Sequence, residues 1–291
     1  MSGAVEGLLL VDKPRGCTSH DVVAQVRRVL GQRRAGHAGT LDPGATGLLP
    51  IALGRATRLV RFLALEPKVY SGELALGVRT TTDDLDGEVV YRHAGPLPDV
   101  PAVEAARQRL VGRILQTPPA YSAKKIAGTR SYALARRGFD VQPAPVLVDV
   151  VRFEIHPASA PDRYRFETAV GAGTYVRGLV RDLGAALGCG AAVVSLRRES
   201  LGALHAADSV ALPDIRESAV VALPKMPLWP PTLRVDAGAA HRRFATGGAQ
   251  PIATELPDGP VRVEDASGAF WGIGEIAAGM LRPTVVLTAA L

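Results

Sequence analysis

The stretch Gly39-Thr40-Leu41-Asp42-Pro43-Gly44-Ala45-Thr46-Gly47 runs directly into the apolar segment Leu48-Leu49-Pro50-Ile51-Ala52-Leu53. It sets one ionisable carboxylate, Asp42, among glycines, where bulky side chains are absent and another molecule can approach the backbone. Taken alone, Asp42-Pro43 reads as a plain turn. No lysine follows at the spacing of a phosphate-binding loop, which excludes a nucleotide-binding site of that type. The apolar segment behind it predicts a buried strand, entered from a loop over Gln32 to Gly47 that holds four glycines and a proline.

Working outward, Leu8-Leu9-Leu10-Val11 predicts a short buried strand ended by Asp12-Lys13-Pro14. Thr18 is placed as a helix N-cap, with Asp21 three residues on, in a capping-box pattern. Val22, Val23, Val26, Val29 and Leu30 then recur at helical spacing, and Gly31 is the stop. Downstream, Arg55 to Leu65 predicts a helix, Val69 to Leu76 a strand and Asp86-Gly87 a turn. Pro101 suits the start of a helix running to Val111. Val146 to Ile155 and Tyr164 to Val170 carry the period of strands. Tyr175 to Leu187 is helical, with Val176, Leu179, Val180, Leu183 and Leu187 on one face and Gly188 as the stop. Helices and strands interleave irregularly, without clean βαβ repeats, so the fold class is a mixed α/β sheet rather than a doubly wound parallel one.

Pro224, Pro227, Pro230 and Pro231 crowd one short segment and mark a boundary. The expected division is a large domain over 1–222, a proline-rich linker over 223–232 and a small domain over 233–291. Beyond the linker the chain reads as all-β, with strands at Val261 to Val263, Phe270 to Ile276 and Thr284 to Thr288.

The chain has 291 residues, 47% of them hydrophobic, enough to bury a substantial core. It carries 34 Lys and Arg against 28 Asp and Glu, a net charge of +6, and an isoelectric point near 9.6. Within Met1 to Arg61 the ratio is nine basic to four acidic residues, so one end of the large domain is the expected phosphate-facing surface. Cys17 and Cys189 are too few for a disulfide framework and lack metal-site spacing, as suits a reducing compartment. The acidic start rules out a signal peptide, and no apolar run approaches the ~18 residues of a membrane helix. The expectation is a soluble, cytoplasmic protein. Asp83, Asp84 and Asp86 lack the spacing of a calcium loop and read as a turn. Gly188-Cys189-Gly190 and Gly272-Ile273-Gly274 are fragments of a dinucleotide fingerprint and carry no weight. No metal and no cofactor are expected.

With its flanks, Arg34 to Pro50 closely resembles the catalytic motif of the TruB family of tRNA pseudouridine synthases. Other blocks match in order. They are Asp12-Lys13-Pro14 with Gly16 and Thr18-Ser19, and Lys68-Val69-Tyr70 with Leu76-Gly77, Thr80 and Thr82-Asp83. Pro118 to Lys125 follows with Gly128, Tyr132, Ala135 and Arg136. The last is Gly173-Thr174-Tyr175-Val176-Arg177 with Asp182-Leu183-Gly184 and Leu196-Arg197-Arg198. The resemblance covers roughly Leu8 to Arg198. It implies a pseudouridine-synthase fold with a mainly antiparallel central sheet, followed by a small β-barrel-like domain of the PUA type. It implies an isomerase acting on uridine 55 in the T arm of tRNA by base flipping, with Asp42 as covalent nucleophile. The implied partner is the tRNA T stem-loop, with no membrane and no obligate protein partner, and the expected state is a monomer.

A nucleophilic carboxylate must be ionised yet partly buried, which calls for a cationic partner, and Arg177 is the candidate because a guanidinium forks onto a carboxylate and stays charged. Tyr70, on a strand, offers a face for stacking and a hydroxyl for proton transfer. The resemblance gives Tyr175 and Leu196 to the walls of the base pocket. It places His37 in the space left by the flipped nucleotide, where a planar group helps offset lost stacking. Lys13 is expected to touch phosphate or to support the loop of Asp42. Arg27, Arg28, Arg33, Arg34, Arg55, Arg58, Arg61, Lys124, Lys125, Arg130, Arg136 and Arg137 form the expected RNA-backbone surface. The rival readings are an RNA chaperone without chemistry and a uridine methyltransferase. The second lacks a glycine-rich cofactor motif after a strand.

Overall fold

The computed structural model describes residues 5–120, 125–126, 129–130 and 143–288. The chain enters its main sheet with β1 (Gly7–Lys13), in which Leu8, Leu9, Leu10 and Val11 are all buried. Leu9 and Val11 face one core and Leu8 and Leu10 another, so both faces of the sheet are covered. A strand covered on both sides needs a continuous apolar run rather than alternation. The helix Ser19–Val29 follows, closed at its start by the reciprocal Thr18–Asp21 capping box and past its end by Gly31 at φ 59°. Its Val22, Val23 and Val26 pack onto the first core.

Next come β2 (Ala35–His37) and β3 (Thr46–Leu53), which pair antiparallel. The expected Gln32–Gly47 loop therefore contains a short strand, hidden in the sequence by its glycines. Arg55 to Leu65 is not an α-helix but two 3-10 turns, Gly54–Arg58 and Val60–Phe62. Ala56, Leu59 and Phe62 are buried at a spacing of three, the repeat of a 3-10 helix.

β4 (Lys68–Leu76) leads into the hairpin of β5 (Val78–Thr80) and β6 (Val89–Arg92). The helix Val100–Gln108, capped by Asp99, precedes β7 (Gly112–Gln116). β8 (Lys125–Ile126) pairs with β9 (Thr129–Arg130). β10 (Val146–Pro157), β11 (Arg163–Val170), the helix Val176–Ala186 and β12 (Ala191–Leu201) complete the central part. β13 (Leu204–His205), β14 (Val210–Ala211) and β15 (Val220–Val221) are short additions.

The path across the main sheet is β14-β1-β3-β12-β4-β11-β10-β7, with β2, β13 and β15 paired alongside. The β1–β14 and β3–β12 pairs are parallel and the others described are antiparallel. The mixed, mainly antiparallel sheet expected from the sequence is thus present. β12, late in the chain, slots between β3 and β4.

The C-terminal sheet has the order β16 (Thr232–Arg234), β18 (Gly259–Glu264), β19 (Phe270–Ala277), β20 (Met280–Val286) and β17 (Gln250–Pro251). This part is not all-β, because Ala239–Ala245 is helical and buries Phe244 against Trp271. Ile273, Val285 and Leu287 leave this module's own core and pack with Leu8, Leu10, Leu48 and Leu201. The proline-rich segment is bound down too: Met226 is buried, Ala64 N–H donates to Pro227 O and Trp229 N–H to Phe62 O. No helix among the described residues is long and apolar enough to cross a membrane.

Candidate active site

The loop between β2 and β3 carries Asp42 and is pinned from three directions. Ser19, buried at the start of its helix, accepts from Leu41 N–H at 3.0 Å and donates to Leu41 O at 3.1 Å. Gly16 N–H and the Lys13 ammonium donate to Pro43 O at 2.8 and 3.2 Å. Arg198, 1% exposed, donates to Gly39 O at 3.1 Å, to Thr40 O at 3.4 Å and to Leu48 O at 2.8 Å. Gly47 closes the loop at φ 97°, where an added Cβ would lie 2.3 Å from Arg198 O. Only glycine combines that backbone with so close an approach.

Arg177, at the start of the helix Val176–Ala186, is the buried cation facing this loop. Its Nε donates to Asp42 Oδ2 at 2.9 Å, Nη2 lies 2.8 Å from the same oxygen, and Nη1 donates to Thr82 O at 2.6 Å. The Arg177 side chain is 6% exposed and that of Asp42 43%, so the carboxylate is held from behind by a buried charge and opens outward. Asp84 Oδ2 adds a longer contact to Nε, at 3.7 Å. A shallow cleft lies here, lined by Asp42, Ala45, Asp84, Leu85, Arg177 and Leu196 among others.

One helical turn on, Arg181 binds Asp83 at 3.1 Å, Asp182 at 2.9 Å and Thr117 O at 2.7 Å. Burial holds the Asp83 and Asp182 carboxyls above the usual carboxylate range, against the pull of Arg181. The Asp83–Asp86 segment is a turn, as expected, but its carboxylates are in use: Asp83 on Arg181, Asp84 beside Arg177, and Asp86 on Arg15 at 2.6 Å. The signal that was available is the four-residue spacing of Arg177 and Arg181, which puts two guanidinia on one helix face.

Tyr70 is buried in β4, opposite Thr168 of β11 and Arg198 of β12. Burial pushes the Arg198 guanidinium down, and the nearby Tyr70 pulls it back. Tyr175 precedes Arg177 by two residues, and its backbone is bracketed by Gln116. Tyr175 N–H donates to Gln116 Oε1 at 2.9 Å and Gln116 Nε2 donates to Tyr175 O at 3.2 Å. Arg198 and Gln116, both fully or nearly fully buried, have no site role in the sequence reading. Arg198 stood in a recognised block, whereas nothing distinguishes Gln116 from any other polar strand residue.

His37 ends β2 and stands edge-on to His20 at 5.3 Å, not in the lining of the Asp42 cleft. Lys13 is fully buried, and its ammonium donates to Pro14 O, Cys17 O and Pro43 O, contacts that match the loop-supporting alternative of the two expected for it. Arg27, Arg28, Arg33, Arg34, Arg55, Arg58 and Arg61 of the expected basic surface are all exposed, and several of them also have partners within the chain. Arg27 donates to Ala35 O, Arg34 to Thr57, Arg55 to Glu6 and Leu287 O, and Arg58 to Val286 O. Arg61 stacks over Phe62. The side chains of Lys124, Lys125, Arg130, Arg136 and Arg137 lie outside the described residues. No group of three His, Cys, Asp or Glu among the described residues is arranged to hold a metal ion.

Residues 27–176 match the N-terminal domain of the TruB family pseudouridylate synthases. The chain belongs to the TruB family. Residues 177–224 match the tRNA pseudouridylate synthase B C-terminal domain, and 239–287 the C-terminal part of TruB pseudouridine synthase II. The chain is 42% identical to the tRNA pseudouridine synthase B of a Synechococcus strain, over 98% of its own length and 99% of the relative's. To that of Thermobifida fusca it is 40% identical, over 91% and 96%. It is accordingly an enzyme, an isomerase that makes pseudouridine in tRNA. A solved Cbf5–Nop10–Gar1 complex superposes with a TM-score of 0.73 at 24% identity, covering 99% of this chain and 85% of that one. An archaeal box H/ACA Nop10–Cbf5 complex does so with the same score and identity, covering 88% of that chain. At this identity the likeness is one of fold.

Proposed function

We propose that this TruB-family chain isomerises uridine 55 in the T arm of tRNA in the cytoplasm, with Asp42 as covalent nucleophile and no cofactor. The observation that carries the reading is the buried Arg177 fork on a carboxylate that is otherwise open to the cleft. The reaction breaks the N1–C1′ bond, turns the base and joins C5 to C1′, losing a proton from C5 and gaining one on N1. An ionised Asp42 supplies the nucleophile, adding either to the pyrimidine ring or to C1′. Arg177 holds it in place and aimed.

In this reading Tyr70 stacks on the extruded base and its hydroxyl, next to Arg198, serves proton transfer. Leu196 and Tyr175 wall the base, and His37 fills the gap left in the RNA. Lys13 acts through the loop it holds. We assign residues 1–222 to catalysis and 233–291 to RNA contact, in a chain that works as a monomer. The test is carbodiimide mapping of treated tRNA with the wild type and Asp42→Asn. Loss of the modification at position 55 with tRNA affinity kept within about tenfold is expected, since one carboxylate is a small part of an RNA interface. Wild-type turnover by Asp42→Asn, with reversion to Asp excluded by mass, overturns the assignment.

A further inference from the structure

Lys68 opens β4, two residues before Tyr70 and on the same face of the strand, about 7 Å along it. It pairs across the sheet with Val170 and Leu201. Val170 is followed directly by the turn that carries Tyr175 towards Arg177, so Lys68 stands where the Tyr70 strand and the Tyr175 turn meet. Its side chain is partly buried, and its ammonium makes no hydrogen bond or ion pair among the described residues. Burial pushes its pKa down and the nearby Arg198 guanidinium pushes the same way, while Glu66 opposes them only through space.

The neighbouring cations are differently placed. Arg177 is matched by Asp42, Arg181 by Asp83 and Asp182, and Lys13 and Arg198 by backbone carbonyls. A partly buried ammonium with no bonded anion, only Glu66 acting through space, and next to a second positive charge is costly to keep. The cost is offset if an anion arrives with the substrate. RNA brings one charge per nucleotide, and the offset between Tyr70 and Lys68 is comparable with the reach from a base to its own phosphate. A lysine recognises phosphate as a point charge and needs no fixed fork.

We propose that Lys68 binds the backbone phosphate of the nucleotide whose base is extruded against Tyr70. The inference rests on the reading of Tyr70 and Asp42 given above. It makes Lys68 a substrate-binding residue that registers the target nucleotide in the cleft.

Two measurements test it together. The first is the salt dependence of tRNA binding for the wild type, Lys68→Gln and Lys68→Arg. The second is affinity and single-turnover rate on a T-arm stem-loop carrying one neutral methylphosphonate linkage 5′ of the target uridine. With Lys68→Gln, the slope of log K against log salt should become less negative by about 0.7 to 0.9, the value of one lost phosphate contact. The single-turnover rate should fall about 10- to 100-fold, the worth of one hydrogen bond to a charged group. The methylphosphonate should cost the wild type a similar factor and Lys68→Gln almost nothing further, while Lys68→Arg recovers most of the loss. An unchanged salt slope, or penalties that multiply between variant and modified RNA, overturns the proposal. Lys68→Met serves in place of Lys68→Gln should the latter melt early. The affinity arm in the Asp42→Asn background keeps the two readings apart: turnover there sinks the role of Asp42, whereas additive binding penalties sink that of Lys68.

Discussion

Arg177 meets Asp42 with two nitrogens on one carboxylate oxygen, Nε at 2.9 Å and Nη2 at 2.8 Å from Oδ2. Its third nitrogen is tied to Thr82 O, so the guanidinium is fixed by the turn that follows β5 as well as by the loop of Asp42. A lysine cannot reproduce this, since an ammonium is a single point at the end of a flexible stem. Arg177→Lys should therefore lower the single-turnover rate about 100-fold or more, with tRNA affinity little changed, because misplacement of a reacting group by an ångström is enough. Rapid-quench kinetics with saturating enzyme checks this.

Asp42→Asn should also leave a thermodynamic mark. The Arg177 side chain is almost fully buried and would lose its ion partner, keeping Thr82 O and the more distant Asp84. The expected loss of stability is about 1–3 kcal/mol, visible as a lower melting temperature.

Asp182 makes a pH-dependent contribution of definite sign. Burial raises its pKa in the folded chain above that of an unfolded aspartate. Such a group adds stability that is fully present below the unfolded pKa and is lost as pH rises through the raised, folded one. From the unfolded aspartate's pKa of about 4 upward, until the raised folded pKa is passed, the wild type should lose stability from this source. Asp182→Asn, which leaves Arg181 its bond to Asp83, should flatten the dependence. Melting temperatures measured across that range for both proteins decide it, and parallel curves would count against the assignment.

Gly47→Ala tests the loop's anchorage. The new methyl would have to enter left-handed backbone and meet main-chain atoms of Arg198 at 2.3 and 2.8 Å. Backbone cannot swing aside as a side chain can. The expected cost is about 2–3 kcal/mol together with a sharp fall in turnover, read by melting and by tRNA modification assay.

Arg55 and Arg58 separate a structural use of charge from an RNA-binding one. Both donate to carbonyls of the chain's last strand region, at Leu287 and Val286. The double variant Arg55→Ala/Arg58→Ala should lower the melting temperature and loosen hydrogen-exchange protection over 280–287. It should leave the salt slope of tRNA binding nearly unchanged. Arg28→Ala and Arg33→Ala, whose side chains are exposed, should do the reverse.

The elements that announced themselves in the sequence were those whose signals are local. The Thr18 capping box, the Val22–Val26 stripe and the glycine stops at 31 and 188 depend on residues a few positions apart. The pairing of Asp42 with Arg177, 135 residues apart, was reachable because a nucleophilic carboxylate, as proposed for Asp42, demands a cation and the family resemblance singled out the block that holds Arg177. What escaped were groups whose partners are main-chain carbonyls of distant segments. Arg198 looks like a surface charge until the fold wraps carbonyls around it, and Gln116 gains meaning only from the Tyr175 backbone it brackets. The 3-10 turns over 54–62 and the helix Ala239–Ala245 were missed because short segments carry too few periods to tell one repeat from another.

β12 lies between β3 and β4 in space yet is made long after both, and Arg198 on it is what ties Gly39, Thr40 and Leu48 to the Tyr70 strand. A nascent chain paused soon after Arg177 would already hold Asp42, Tyr70, Tyr175 and its buried cation. It would still have two sheet halves with an empty lane between them and no clasp across it. Long-range insertion of this kind is the slow kind of strand pairing. Competence for catalysis should therefore arrive late during synthesis, once β12 is in place, and a chain ended before Ala191 should leave tRNA unmodified in a carbodiimide assay.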